Sequence, residues 1–160
     1  MPESSKTAAN PARSYPPAEG QTGRALVDVP IQSEGDIVVA RRTVRAAAEK
    51  LGFGVTDITR IVTGASELAR NIFRYACPGV MRVRQLTQNV RVGLELEFED
   101  HGPGIPNWEE GVREGFARTT GRGLGLGLRG TKRIMDEMQI RTEIGKGTTI
   151  IVRKWRPDGT

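Results

Sequence analysis

Apolar residues recur along the chain at spacings that change from segment to segment, and the changes mark out its elements. Residues 25–31 (Ala25-Leu26-Val27-Asp28-Val29-Pro30-Ile31) read as a first strand. Ile37, Ala40, Val44, Ala47 and Leu51 then fall three or four apart, the repeat of a helix with one buried face. Asp36 is suited to cap that helix and Gly52 to end it. A second apolar line, Ile58, Val62, Ala65, Leu68, Ala69, Ile72 and Ala76, predicts a helix over 56–76, stopped by Pro78-Gly79. The period then switches to two, and residues 80–87 and 92–99 read as strands. In the second of these Leu94, Leu96 and Phe98 alternate with Glu95, Glu97 and Glu99, so one face is apolar and the other acidic. Asn89 lies in the short connection and predicts a hairpin. Beyond an irregular glycine-rich stretch at 101–127, Leu128, Ile134, Met135 and Met138 mark a third helix over 128–138. Residues 140–144 and 148–154 close the chain as two strands joined by Gly145-Lys146-Gly147. The order β-α-α-β-β-loop-α-β-β predicts an α+β sandwich with helices on one face of a mixed sheet.

Composition narrows the setting. A chain of 160 residues is enough for one core and too short for two. The single cysteine, Cys77, excludes an internal disulfide and makes a reducing cytoplasm the expected compartment. No apolar run approaches the roughly 20 residues of a membrane span, and residues 1–23 lack the aliphatic block of a signal peptide. That segment holds Pro2, Pro11, Pro16 and Pro17 among Ser, Ala and Gly, and reads as a disordered tail. The folded domain is expected over 24–156, with 157–160 a short C-terminal tail. The formal charge of +5 suits either an anionic partner or a mildly basic solvated surface. Aromatic residues make up only 5% and do not interleave with Lys or Arg, which argues against nucleic acid as the partner.

Three features carry candidate chemistry. Glu67 and Asn71 are four apart on the second helix, hence a turn apart on one face. A carboxylate beside an amide can hold a divalent cation through oxygen, or orient a hydroxyl; Arg70 and Arg74 nearby fit an ordinary surface network equally well. Asp100 ends an alternating strand and is followed by His101-Gly102-Pro103-Gly104-Ile105-Pro106, which places a strong acceptor beside backbone that a flat ligand can approach closely. The lone histidine, His101, has no partner at metal spacing and allows no histidine-based triad. Gly121-Arg122-Gly123-Leu124-Gly125-Leu126-Gly127-Leu128 leads into a helix, where bare backbone N–H groups can surround phosphate oxygens, or form a flexible linker. It is neither a Walker-type phosphate loop nor a Rossmann turn.

The order and separation of these features say more than any one of them. Glu-x3-Asn on a helix, Asp-x-Gly-x-Gly after a strand, a lid, Gly-x-Gly-x-Gly opening a helix, and finally Gly147-Thr148 together resemble the Bergerat ATP-binding fold of DNA gyrase, heat-shock chaperones, histidine kinases and MutL proteins. Within that superfamily, Leu51-Gly52-Phe53-Gly54, Ser66-Glu67-Leu68-Ala69-Arg70-Asn71-Ile72, Glu99-Asp100 with Gly102-Pro103-Gly104-Ile105-Pro106, and Lys132-Arg133-Ile134-Met135-Asp136-Glu137 resemble the RsbT-type switch kinases. These are small serine/threonine kinases of bacterial partner-switching and stressosome pathways. The resemblance spans residues 24–156; the tail has no counterpart in it, and His101 fills a variable position.

The resemblance implies a two-layer sandwich with a glycine-rich ATP lid. It implies that Glu67 is the general base, that Asn71 holds Mg²⁺ on the ATP phosphates, and that Asp100 accepts from the adenine amino group with help from Thr148. Gly102 and Gly104 would let the base lie against the backbone, and Gly123, Gly125, Leu126, Gly127 and Leu128 would offer the phosphates their N–H groups. It further implies a STAS-domain antagonist as substrate and a metal-dependent serine phosphatase as the downstream target. An anti-sigma factor kinase and a non-catalytic ATP-gated binding module are the alternatives.

Overall fold

A computed structural model describes residues 18–108 and 127–157. Their order is β1 (Gln21–Ile31), α1 (Glu34–Lys50), α2 (Val55–Asn71), a π-helical turn (Ile72–Ala76), β2 (Gly79–Gln88), β3 (Arg91–Asp100), α3 (Gly127–Ile134), β4 (Glu137–Glu143) and β5 (Gly147–Trp155). The strands form one sheet in the order β1-β2-β3-β5-β4. All neighbours are antiparallel, so the expected mixed sheet is antiparallel throughout. The reason lies in β5. The α3 crossover joins β3 to a strand running the same way, β4, but β5 turns back and inserts between them, so no two parallel strands touch.

The helical repeats read from the chain face this sheet. Ile37, Ala40, Val44 and Ala48 of α1 and Ile58, Ile61, Val62, Ala65, Leu68 and Ala69 of α2 are buried against Met81, Val83, Leu94, Leu96, Phe98, Ile150 and Val152. Leu94, Leu96 and Phe98 thus form the core side of β3, as the alternation predicts. The opposite side is acidic but not solvated: Glu95, Glu97 and Glu99 are all buried. Arg82 Nη1 donates to Glu97 at 2.6 Å and Arg153 Nε donates to Glu95 at 2.8 Å. Burial still holds the Glu97 carboxyl above its ordinary range, against the opposing effect of Arg82.

Several boundaries move, the main ones for a local reason. β1 begins at Gln21, inside the segment expected as tail, because its register with β2 runs out to Gln21 opposite Gln88. α1 starts at Glu34 with Ser33 as its N-cap, so Asp36 sits three residues into the cap rather than on it. There Asp36 Oδ2 accepts the backbone N–H groups of Gln32 at 2.8 Å and Ser33 at 2.9 Å, which hold its carboxyl below the ordinary range. α2 is α-helical only to Asn71; the last turn of the expected helix widens to a π turn. That turn packs onto two glycines, since a Cβ on Gly79 would lie 2.7 Å from Ile72 Cγ2 and one on Gly102 would lie 2.6 Å from Ala76 Cβ.

α3 stops at Ile134, four residues short of the expected end. Asp136 draws the chain into the sheet instead: its N–H donates to Arg153 O at 3.0 Å, and its Oδ2 accepts the Trp155 N–H at 2.7 Å. Lys154 Nζ then bonds both Asp136 Oδ1 at 3.2 Å and the helix-terminal carbonyl of Ile134 at 3.1 Å, a cation on the negative end of a helix. The Asn89–Val90 turn closes the β2–β3 hairpin as expected, with Asn89 at φ 56. No helix among the described residues is long and apolar enough to cross a membrane. The expected tail lies outside the described residues as far as residue 17, and so does most of the expected lid.

Candidate active site

The carboxylate of Asp100 sits where three backbone segments meet. Asp100 is the last residue of β3, paired with Gly79 on one side and Thr148 on the other. Its Oδ1 accepts the N–H of Gly102 at 2.9 Å and that of Thr148 at 3.2 Å, while Oδ2 receives no donor among the described residues. The side chain is buried, and burial pushes its carboxyl above the ordinary aspartate range despite those two N–H groups. The second carboxylate oxygen is thus open to a donor that a ligand supplies.

The loop after Asp100 is pinned by the β4–β5 hairpin. Gly145 N donates to Pro103 O at 2.9 Å, and Ile105 N donates to Thr142 Oγ1 at 2.9 Å. Gly104 has φ +82, and a Cβ there would stand 2.7 Å from the Glu143 carbonyl oxygen. At Gly147 a Cβ would fall on the Asp100 carbonyl oxygen, so the strand beginning with Gly147-Thr148 reaches the site only because residue 147 has no side chain. Thr148 is buried, with its Oγ1 2.9 Å from Thr142 Oγ1. Thr142 is the residue that the motif pattern misses. The signal for it is the hairpin: in a turn centred on Gly145, the residue across from Thr148 is Thr142.

The second part of the site is a stripe on α2. Gly64, Glu67 and Asn71 are three and seven apart, hence on one helical face. α3 packs on that face, since a Cβ at Gly64 would meet Met135 Sδ at 3.5 Å and Thr131 Cγ2 at 3.6 Å. At the other end of the stripe the π turn brings Ala76 against Gly102. Glu67 and Asn71 therefore lie on the stretch of helix between the contact with α3 at Gly64 and the contact of the π turn with Gly102. Glu67 does not stand alone: Arg70 Nη1 donates to its Oε1 at 2.8 Å, leaving Oε2 without a donor among the described residues. The ion-pair reading of this helix face is realised in the Glu67–Arg70 pair.

α3 opens at Gly127 with φ +61. Its first N–H groups, Leu128 among them, have no acceptor within the helix. Thr131 is fully buried and donates to Gly127 O at 2.9 Å, which braces this first turn. Gly123, Gly125 and Leu126 lie outside the described residues. His101 is 81% exposed, with Nε2 3.8 Å from Glu99, a surface group rather than part of the cleft.

Among the described residues no group of three or more His, Cys, Asp or Glu side chains could hold a metal ion. The donor set on α2 fits a different arrangement. Mg²⁺ keeps waters and takes one or two protein oxygens beside substrate phosphates, and the Asn71 amide oxygen is a ligand of that kind.

Residues 31–154 match the histidine kinase-like ATPase domain. The chain is 46% identical over 127 residues to the serine/threonine-protein kinase RsbT of Bacillus subtilis (strain 168), covering 79% of this chain and 94% of that one. It is 30% identical over 123 residues to an anti-sigma F factor of Geobacillus sp. (strain WCH70), covering 72% of this chain and 82% of that protein. Among solved structures, the RsbU and RsbW domains of a Mycobacterium tuberculosis protein superpose with a TM-score of 0.52 at 17% identity. That match covers 82% of this chain and about a third (34%) of the larger one, and shows the shared fold. The α+β sandwich is thus that of a histidine kinase-like ATPase domain, and the chain is a member of that ATP-using family in its branch of RsbT-like serine/threonine protein kinases.

Proposed function

We propose that this protein, acting in the cytoplasm, transfers the γ-phosphoryl group of ATP to a serine or threonine of a STAS-domain antagonist, and on release activates a metal-dependent serine phosphatase. The observation that carries the nucleotide part is the buried Asp100 carboxylate: one oxygen is held by two backbone N–H groups and the other is open to a donor. The adenine 6-amino group is such a donor, and Gly102 and Gly104 leave the adjoining backbone bare for a flat base. The free, exposed thiol of Cys77 suits a reducing compartment.

At the other end of the site Asn71 would hold Mg²⁺, which supplies charge neutralisation on the triphosphate. The N–H groups of Gly127 and Leu128 at the start of α3, and those of Gly123, Gly125 and Leu126 earlier in the chain, would donate to the phosphate oxygens. Glu67 Oε2 accepts the proton of the acceptor hydroxyl as its oxygen bonds to the γ-phosphorus and the bond to the β,γ-bridging oxygen breaks. ADP leaves and the proton remains on the carboxylate until it passes to water. Arg70, bonded to Oε1, fixes the carboxylate so that Oε2 is presented.

Similarity to an anti-sigma F factor favours a second reading, in which the protein captures a sigma factor and phosphorylates its own antagonist. One experiment separates the readings. The protein is incubated with labelled ATP, Mg²⁺ and purified candidate STAS proteins and sigma factors. Label on a STAS serine or threonine is the expected result. Capture of sigma favours the second reading, and tight ATP binding with no transfer to any STAS protein removes kinase action in favour of an ATP-gated binding module.

A further inference from the structure

We infer that Thr142 sets the base specificity of the purine pocket, by locking the Thr148 hydroxyl as a hydrogen-bond acceptor. This rests on the reading of Asp100 and Thr148 as the purine contacts. Thr142 lies on β4, outside every motif by which the nucleotide site is recognised.

A threonine hydroxyl has one proton to give and two lone pairs with which to accept. Three groups surround Thr142 Oγ1: the Ile105 N–H at 2.9 Å, the Gly147 carbonyl oxygen at 3.3 Å and Thr148 Oγ1 at 2.9 Å. The Ile105 N–H can only donate, so it takes one lone pair. The Gly147 carbonyl can only accept, so it takes the proton. One lone pair then remains for Thr148, whose own hydroxyl proton must point to Thr142. This arrangement makes three hydrogen bonds. Turning the Thr142 proton toward Thr148 instead makes two, abandons Gly147 O, and leaves the proton of the buried Thr148 to find another partner. The network therefore has a preferred direction, and it leaves Thr148 Oγ1 with lone pairs only.

The consequence is a pocket wall made of acceptors. Thr148 stands across from Asp100 in the β3–β5 register, and its backbone N–H bonds the Asp100 carboxylate at 3.2 Å. A purine carrying an amino group at C6 offers donors to that wall. One carrying a carbonyl at C6 brings an acceptor against acceptors, an arrangement that buried polar groups disfavour. Were the Thr148 proton free to turn, it could bond a C6 carbonyl and the discrimination would relax. Thr142 prevents that turn without touching the base, so it is a positioning residue.

The test is calorimetry on the full chain with MgATP and MgGTP, for the parent, Thr142→Val, Thr142→Ser and Thr148→Ala. Valine keeps the branched shape and removes the hydroxyl; serine keeps the hydroxyl. The ratio Kd(GTP)/Kd(ATP) is expected to fall about tenfold in Thr142→Val, the scale of one directed hydrogen bond, and to be retained in Thr142→Ser. Thr148→Ala, which removes the acceptor itself, should lower the ratio too and serves if Thr142→Val does not fold. A ratio unchanged in Thr142→Val, including the case in which both nucleotides weaken equally, overturns the inference and leaves Thr142 as a brace for the loop. A parent that binds both nucleotides alike overturns it as well. Asp100→Asn separates the two levels. If that variant weakens ATP binding while Thr142→Val leaves the ratio alone, the purine pocket stands and only this inference fails; if Asp100→Asn binds ATP as the parent does, the purine reading fails with it.

Discussion

The two ends of the cleft are built by different means. At the Asp100 end the geometry is made by backbone: two N–H groups on one carboxylate oxygen, a hairpin bonded to the loop through Gly145 and Thr142, and glycines wherever two chains come too close for a Cβ. At the Glu67 end it is made by side chains on one helical turn, with Arg70 the group that holds Glu67 in place. Strand register leaves little freedom, because a slip by one residue would turn Asp100 and Thr148 to the other face of the sheet. A helix side chain keeps its rotamers, and its orientation depends on a neighbour such as Arg70. The difference suits the two tasks proposed for these residues. Recognition of a flat base needs a rigid wall, whereas transfer to an incoming hydroxyl needs a base that can be presented and relieved of its proton.

The largest expected effect is at the helix end and on rate alone. Glu67→Gln should slow phosphoryl transfer by roughly 10²–10⁴-fold while ATP still binds; full activity in labelled-phosphate assays would remove Glu67 from the mechanism. Next is the strand end, on affinity. Asp100→Ala should weaken ATP binding about 10- to 150-fold, the worth of a hydrogen bond to a charged group at about 1.5–3 kcal/mol. A dissociation constant unchanged by calorimetry would place adenine elsewhere. Asn71→Ala should abolish the Mg²⁺ dependence of nucleotide binding while leaving the metal-free affinity close to that of the parent. Equal affinity with and without Mg²⁺ in the parent would break the assignment of the metal to α2.

The smallest effect sharpens the comparison through pH. Burial holds the Asp100 carboxyl above the ordinary aspartate value of 3.8, so in the nucleotide-free protein it takes up a proton earlier on acidification than a solvated aspartate. Only the ionised form has both oxygens as acceptors. ATP affinity should therefore be full at neutral pH and fall as pH drops through that raised value, above the range where ordinary aspartates titrate. Affinity that stays level through and below 3.8 would show that the acceptor is not Asp100.

The acidic side of β3 extends the contrast to the fold. Period-two alternation in residues 94–99 correctly separates the leucine face from the glutamate face, yet it carries no information on what covers the second. The answer comes from other strands: Arg82 lies on β2 and Arg153 on β5, and they enclose Glu97 and Glu95 as ion pairs. In the same way Glu67 and Asn71 are legible as neighbours on one helix turn, and Asp100 as a strand-end acceptor, because each relation spans only a few residues.

What the amino-acid order determines by itself is therefore what short spacing encodes: which face of each helix or strand is apolar, where glycine or proline breaks the repeat, and which chemical groups share a turn. Tertiary structure decided the rest. It inserted β5 between β3 and β4, making the sheet antiparallel. It ended α3 at Ile134 by drawing Asp136 onto the backbone of β5, and it brought Thr142 to Thr148 and the loop at Ile105. These outcomes depend on hydrogen-bond partners supplied from other elements, and periodicity records only that a residue faces inward, not which group it will meet there.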